Sequence, residues 1–95
     1  MSSKDYYRKQ IESKRKDIVS VRTKITKAKE SKKRKMESLA VSLKNTKDAS
    51  RKESIRKQKI AVVSQCEREV EGYQKKIESL KKDIERLRAS MARAK

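Results

Sequence analysis

The chain has 95 residues, of which 33% are hydrophobic, 45% charged and 3% aromatic, with one glycine and no proline. That excludes more than one small domain and any globular core of ordinary size, leaving an elongated helical coiled coil or a disordered chain. Thirty Lys and Arg against thirteen Asp and Glu give a net charge of +17. Residues 1–50 carry 16 basic and 6 acidic groups, and residues 51–95 carry 14 and 7. Such a surface attracts polyanions at low salt, and it also keeps a thin coiled coil dispersed.

In chain order, residues 1–4 read as a frayed start. Ser3 is the expected N-cap, and Asp5 sits in the first turn, where a carboxylate suits the helix dipole. A first helix is expected over 4–45. Its apolar residues Tyr7, Ile11, Ile18, Val21, Ile25 and Ala28 recur at alternating spacings of four and three, the a and d positions of a heptad. Lys14 fills a d slot and Lys32 an a slot. The pattern weakens through Lys32, Lys33, Arg34 and Lys35. It resumes as Met36, Leu39 and Leu43, with Leu39 in the original a register and the other two one residue off it, which reads as a local stutter.

The stretch Asn45-Thr46-Lys47-Asp48-Ala49-Ser50 has no large apolar residue, and its Asn, Asp and Ser favour turns and caps. A turn is expected over 46–50 and a second helix over 51–93, capped by Ser50 or Asp48 with Glu53 near the third helical position. Its phase wobbles at Ile55, Ile60, Val62 and Val63. From Cys66 it is regular: Cys66, Tyr73, Leu80, Leu87 and Ala94 on one repeat, Val70, Ile77, Ile84 and Met91 on its partner. Gly72 lies inside the repeat without shifting it and costs about 1 kcal/mol relative to Ala.

In an antiparallel pair, facing residues have numbers that add to a constant. One constant matches Ile11 with Leu87, Ile18 with Leu80, Val21 with Ile77, Ile25 with Tyr73, Ala28 with Val70 and Lys32 with Cys66. It puts the fold point at Ala49, inside the polar stretch. Hydrophobic register and turn chemistry therefore agree. The expected fold is all-α: an antiparallel two-helix coiled-coil hairpin, one module over 1–95, with stability concentrated in 11–28 and 70–87. A long parallel dimer of unbroken helices and a disordered chain are the alternatives. A lone hairpin buries one stripe per helix, so association into a helical bundle is expected, covering Met36, Leu43, Ile55, Ile60 and Val62.

No catalytic constellation is visible. There is no His, no Cys–His pair and no glycine-rich phosphate loop. Glu67, Glu69 and Glu71 do not converge on one ion. No catalytic, cofactor-binding or metal-ligating residue is expected, and no enzymatic activity. Cys66 has no disulfide partner and reads as a small buried hydrophobe in a reducing, cytoplasmic setting. No signal peptide and no membrane span are expected. The self-association seam is expected at Ile11, Ile18, Val21, Ile25, Val70, Tyr73, Ile77, Leu80, Ile84 and Leu87. Lys32, Lys33, Arg34 and Lys35, with Lys27 and Lys29, are the candidate polyanion contact. A helix wraps that run around its axis, so nucleic acid is expected to bind only weakly and without specificity.

The opening Met1-Ser2-Ser3-Lys4-Asp5-Tyr6-Tyr7, the Lys- and Arg-rich heptads after it, the polar midpoint break and the closing Lys75-Lys76-Ile77-Glu78-Ser79-Leu80-Lys81-Lys82-Asp83-Ile84 together resemble the N-terminal coiled-coil region of bacterial proteins that carry a C-terminal TIR (Toll/interleukin-1 receptor) domain. The resemblance covers essentially the whole chain. It implies a self-association segment of an immune or signalling protein, whose catalytic, NAD-cleaving TIR domain has no counterpart among these residues. The uncapped ending Ala92-Arg93-Ala94-Lys95 fits such a segment. Beside this reading stand a basic helical nucleic-acid-binding protein and an adaptor or inhibitor that pairs with another coiled coil.

Overall fold

A computed structural model describes residues 2–94. Met1 of the expected frayed start and Lys95 of the expected uncapped end lie outside them. Two helices, α1 (Ser3–Asn45) and α2 (Ala49–Arg93), account for nearly all of the described chain. They form a helical hairpin, and among the described residues there is no strand.

The helix starts differ from expectation for reasons of capping. Ser2, not Ser3, is the first N-cap: its hydroxyl accepts from the Asp5 backbone N–H at 3.2 Å, and its carbonyl accepts from the Tyr6 N–H at 3.2 Å. Asp5 then sits three residues on, the spacing of a capping box. The Ser2 side chain and then its backbone hold the Asp5 carboxyl below its ordinary value, with Arg8 adding to the effect. Ser3 and Lys4 are therefore helical and not frayed.

At the connection, Asp48 and not Ser50 is the cap. Its carboxylate accepts from the Ser50 N–H at 3.1 Å, and its carbonyl accepts from the Lys52 N–H at 3.0 Å. The helix thus begins at Ala49, two residues earlier than expected, and the turn shrinks to Thr46-Lys47-Asp48. The centre of the connection is Lys47, two residues before the expected fold point. Glu53 is then too deep in the helix for a capping box, and it pairs with Lys57 at 3.8 Å instead.

The chain divides into two compact units. The terminal unit joins the residues up to Lys24 with those from Gly72 onward, and the turn unit is Ile25–Glu71. The terminal unit buries Ile11, Ile18 and Val21 of α1 and Ile77, Leu80 and Ile84 of α2. Lys14 and Asp83 bridge the two helices at 3.7 Å, within one residue of the expected register. The turn unit buries only Ile55 and Cys66. There the Cys66 thiol points at the Ala28 carbonyl oxygen, 3.7 Å away.

Covered positions show how the repeat changes in the turn unit. On α1 the main series is Ile25, Ala28, Lys32, Met36, Leu39 and Leu43, with Ser31 also half-buried; on α2 it is Lys52, Ile55, Lys59, Val62, Cys66 and Val70, with Val63 and Ser64 also half-buried. Each series contains two successive spacings of four, at Ala28-Lys32-Met36 and at Val62-Cys66-Val70. That is an eleven-residue step inserted into a heptad, which locally unwinds the pairing. The constant that matches Ile18 with Leu80 also matches Ala28 with Val70, Lys32 with Cys66, Met36 with Val62 and Leu43 with Ile55. By that numbering the two stutters fall at matching levels. Leu39 is not back in the original a series: past the stutter, Met36 and Leu43 take over the a role and Leu39 becomes a d residue.

Gly72 has open space where a Cβ would stand, with no atom within 4 Å. Nothing approaches the backbone there, so this glycine only weakens α2.

Candidate functional site

The ten expected seam residues divide by burial. Ile11, Ile18, Val21, Ile77, Leu80 and Ile84 are buried, while Ile25, Val70, Tyr73 and Leu87 are half-buried. The hairpin itself covers the first group. Cys66 takes its expected interior place. Ile55 is a core residue that heptad counting passed over. The signal was present in the pairing constant, which matches Ile55 with Leu43 once both stutters are allowed. Ile55 therefore needs no second hairpin to cover it. Ile60 remains 69% exposed, and Met36, Leu43 and Val62 are half-buried.

The basic run does not form one contact face. Lys32 turns into the seam opposite Cys66 and is half-buried. Lys33 and Arg34 share a shallow depression with Glu30 and Glu37. Lys35 borders a different groove beside Leu39 and Val62. A helix turns about 100° per residue, so four consecutive cations diverge.

Two grooves have useful composition. In the turn unit, Leu39, Ala61 and Val62, with Lys35, Ser38 and Gln58 nearby, border an open groove of about 400 Å³. In the terminal unit, a groove of about 420 Å³ has Ile18, Val19 and Ile84 as its apolar part. Arg15, Arg22, Lys81 and Arg88 surround it, with Glu85 as the one acid in the lining.

The terminal unit's two flanks differ in charge. With Ile11, Ile18, Ile77 and Ile84 as a residues, the e positions are Arg8, Arg15 and Arg22 on α1 and Gln74, Lys81 and Arg88 on α2. The g positions are Gln10, Asp17 and Lys24 on α1 and Lys76, Asp83 and Ser90 on α2. In an antiparallel pair e faces e and g faces g. One flank is thus mixed and neutral, and the other carries five cations and no acid. The cationic flank is the one lined by the 420 Å³ groove.

Among the described residues no group of three or more His, Cys, Asp or Glu is placed to hold a metal ion. None of the described buried residues is polar or charged, leaving no buried polar machinery. No described helix is long and apolar enough to cross a membrane. No family model, curated protein or solved structure matches the chain.

Proposed function

We propose that the chain is a non-enzymatic coiled-coil self-association module, the oligomerisation segment of a bacterial TIR-type immune or signalling protein acting in the cytoplasm. The observation that supports self-association is the incomplete cover of the turn unit. Its seam residues Met36, Leu39, Leu43 and Val62 are only half-buried, as is Val63 beside them, and Val41 and Ile60 stand largely exposed. A hairpin with one stripe per helix leaves its seam residues partly wet, and a second hairpin laid on Leu39, Ala61 and Val62 removes these three from water as a four-helix bundle. The turn unit also carries seven of the thirteen acids, so two copies meet less repulsion there than at the terminal unit. In a longer protein, such a bundle would bring attached effector domains together.

Sedimentation equilibrium at about 0.15 M salt tests this. A concentration-dependent dimer or tetramer is expected for the parent chain, persisting when salt is raised. Leu39→Glu with Val62→Glu should shift it to monomer while circular dichroism stays helical. A parent chain that is monomeric at every concentration would remove the proposal.

A further inference from the structure

The cationic flank of the terminal unit works against the hairpin that carries it. Arg15 and Arg22 on α1 face Lys81 and Arg88 on α2 across one groove, and like charges at such flanking positions repel. The opposite flank shows what the fold itself requires. There Asp17 and Asp83 are interspersed with Lys24 and Lys76, and Asp83 reaches Lys14 on the other helix at 3.7 Å. Mixed charge on both flanks would serve the hairpin better. The clustering is therefore not explained by folding.

The apolar part of the groove narrows what it recognises. Val19 is 63% exposed between the two arginines of α1, and Ile18 and Ile84 lie beneath. A phosphate backbone would leave Val19 without a partner, while Ile18 and Ile84 are already covered by the hairpin. An α-helix has apolar residues to set on Val19 and can carry acids on both edges. Spacing agrees: Arg15 and Arg22 are seven residues apart, as are Lys81 and Arg88, which is about 10.5 Å along a helix axis. A helix laid along the groove presents its own edge positions at that same interval, two turns apart.

We propose that this groove docks an acidic amphipathic helix from another polypeptide, as the third strand of a local three-helix coiled coil. Apolar residues of the incoming helix sit on Val19, over the edges of Ile18 and Ile84. Its Glu or Asp edges neutralise Arg15 on one side and Lys81 and Arg88 on the other. A second copy of this chain is the poorer occupant, because the terminal unit carries 16 basic groups against 6 acidic. The surface is separate from the turn-unit groove, so this inference stands or falls apart from self-association.

The test uses the full chain and a labelled synthetic helix of three heptads with Leu at a and d and Glu at e and g. Binding is followed by fluorescence anisotropy at about 0.15 M salt. The acidic helix is expected to bind, and a Lys-edged copy is not. Arg15→Glu with Arg88→Glu should weaken binding by about tenfold or more, whereas Lys33→Glu with Arg34→Glu, the same change in net charge, should weaken it less than about threefold. Replacing Leu by Ser in the probe at constant charge should also cost about tenfold, since it removes the contact with the apolar part. Arg15→Glu alone should raise the melting temperature of the hairpin, because it introduces an opposite charge across the flank. Equal losses from the two charge-reversed variants, or indifference to the Leu-to-Ser change, would reduce the effect to general polyanion attraction and overturn the proposal. So would a DNA duplex that displaces the acidic helix from the parent but not from the Arg15/Arg88 variant.

Discussion

The terminal unit and the turn unit use the same two helices with opposite emphasis. The terminal unit fills its heptad slots with Ile, Val and Leu and buries six of them. It leaves its charge unbalanced on one flank. The turn unit has a compact three-residue connection and a well-made cap at Asp48, yet it buries only Ile55 and Cys66. Lysines stand at Lys32, Lys52 and Lys59 where apolar residues would complete its stripe. A well-capped turn does not make a strong seam: capping satisfies backbone groups near a helix end, whereas removal of apolar area from water holds two long helices together. Burial of the seam is therefore concentrated in the terminal unit, and incompletely covered seam in the turn unit.

The largest expected effect comes from deleting matched side chains in the two units. Leu80→Ala removes a buried residue and should cost about 2–5 kcal/mol. Leu39→Ala removes a half-buried one, and the cost should be under about 1.5 kcal/mol, because the site is partly wet and leaves little enclosed cavity. Thermal melts by circular dichroism at low protein concentration measure both. Hydrogen exchange on the parent should show slower opening for amides around Ile18 and Leu80 than for those around Leu39 and Val62. Equal costs, or the reverse order of protection, would break the contrast between the units.

The hairpin and the terminal core could be read from the sequence because there the repeat is strict and most slots are filled by Ile, Val or Leu, with Lys14 the one charged exception. Ile18, Ile77, Leu80 and Ile84 announce themselves by spacing alone. Ile55 did not, because its phase makes sense only after the eleven-residue step at Val62-Cys66-Val70 is recognised, and Lys59 interrupts the count before it. The caps were displaced for another reason. Ser2 and Ser3, or Asp48 and Ser50, are chemically interchangeable candidates, and the choice depends on which backbone N–H each side chain reaches. The cationic groove is not legible as a run of residues. Arg15, Arg22, Lys81 and Arg88 are scattered in the sequence and meet only across the pair, while the conspicuous Lys32–Lys35 run disperses around its helix.

A middle-sized effect should sharpen the contrast by weakening it. Lys32 is half-buried at the matched stutters, opposite Cys66. Its methylene stem covers apolar surface while its ammonium reaches for water. Lys32→Ile supplies more apolar area at that level and removes one positive charge from a chain of +17. It should stabilise the hairpin by about 1 kcal/mol, and exchange should slow locally around Ala28 and Cys66. A drop in melting temperature would mean that the stutter has no room for a β-branched side chain, and that the lysine is there for fit.

The smallest expected effect concerns an ion pair that joins the two helices within the terminal unit. Lys14 and Asp83 lie 3.7 Å apart, each with about a third of its side chain exposed, at 33% and 35%. Solvent screens a pair this accessible, so its coupling should fall at about 0.2–1 kcal/mol. The measurement is a double-mutant cycle, with Lys14→Met, Asp83→Asn and both together. Asp83 also lies 3.8 Å from Arg86 on its own helix, so Asp83→Asn alone should cost more than the cycle's coupling energy. Raising salt should shrink the coupling toward zero while leaving the cost of Leu80→Ala unchanged, since only the former is Coulombic. If the coupling instead survived high salt at several times that size, the terminal unit would owe its strength to a charge clasp, and burial of Ile18, Leu80 and Ile84 would no longer account for the difference between the units.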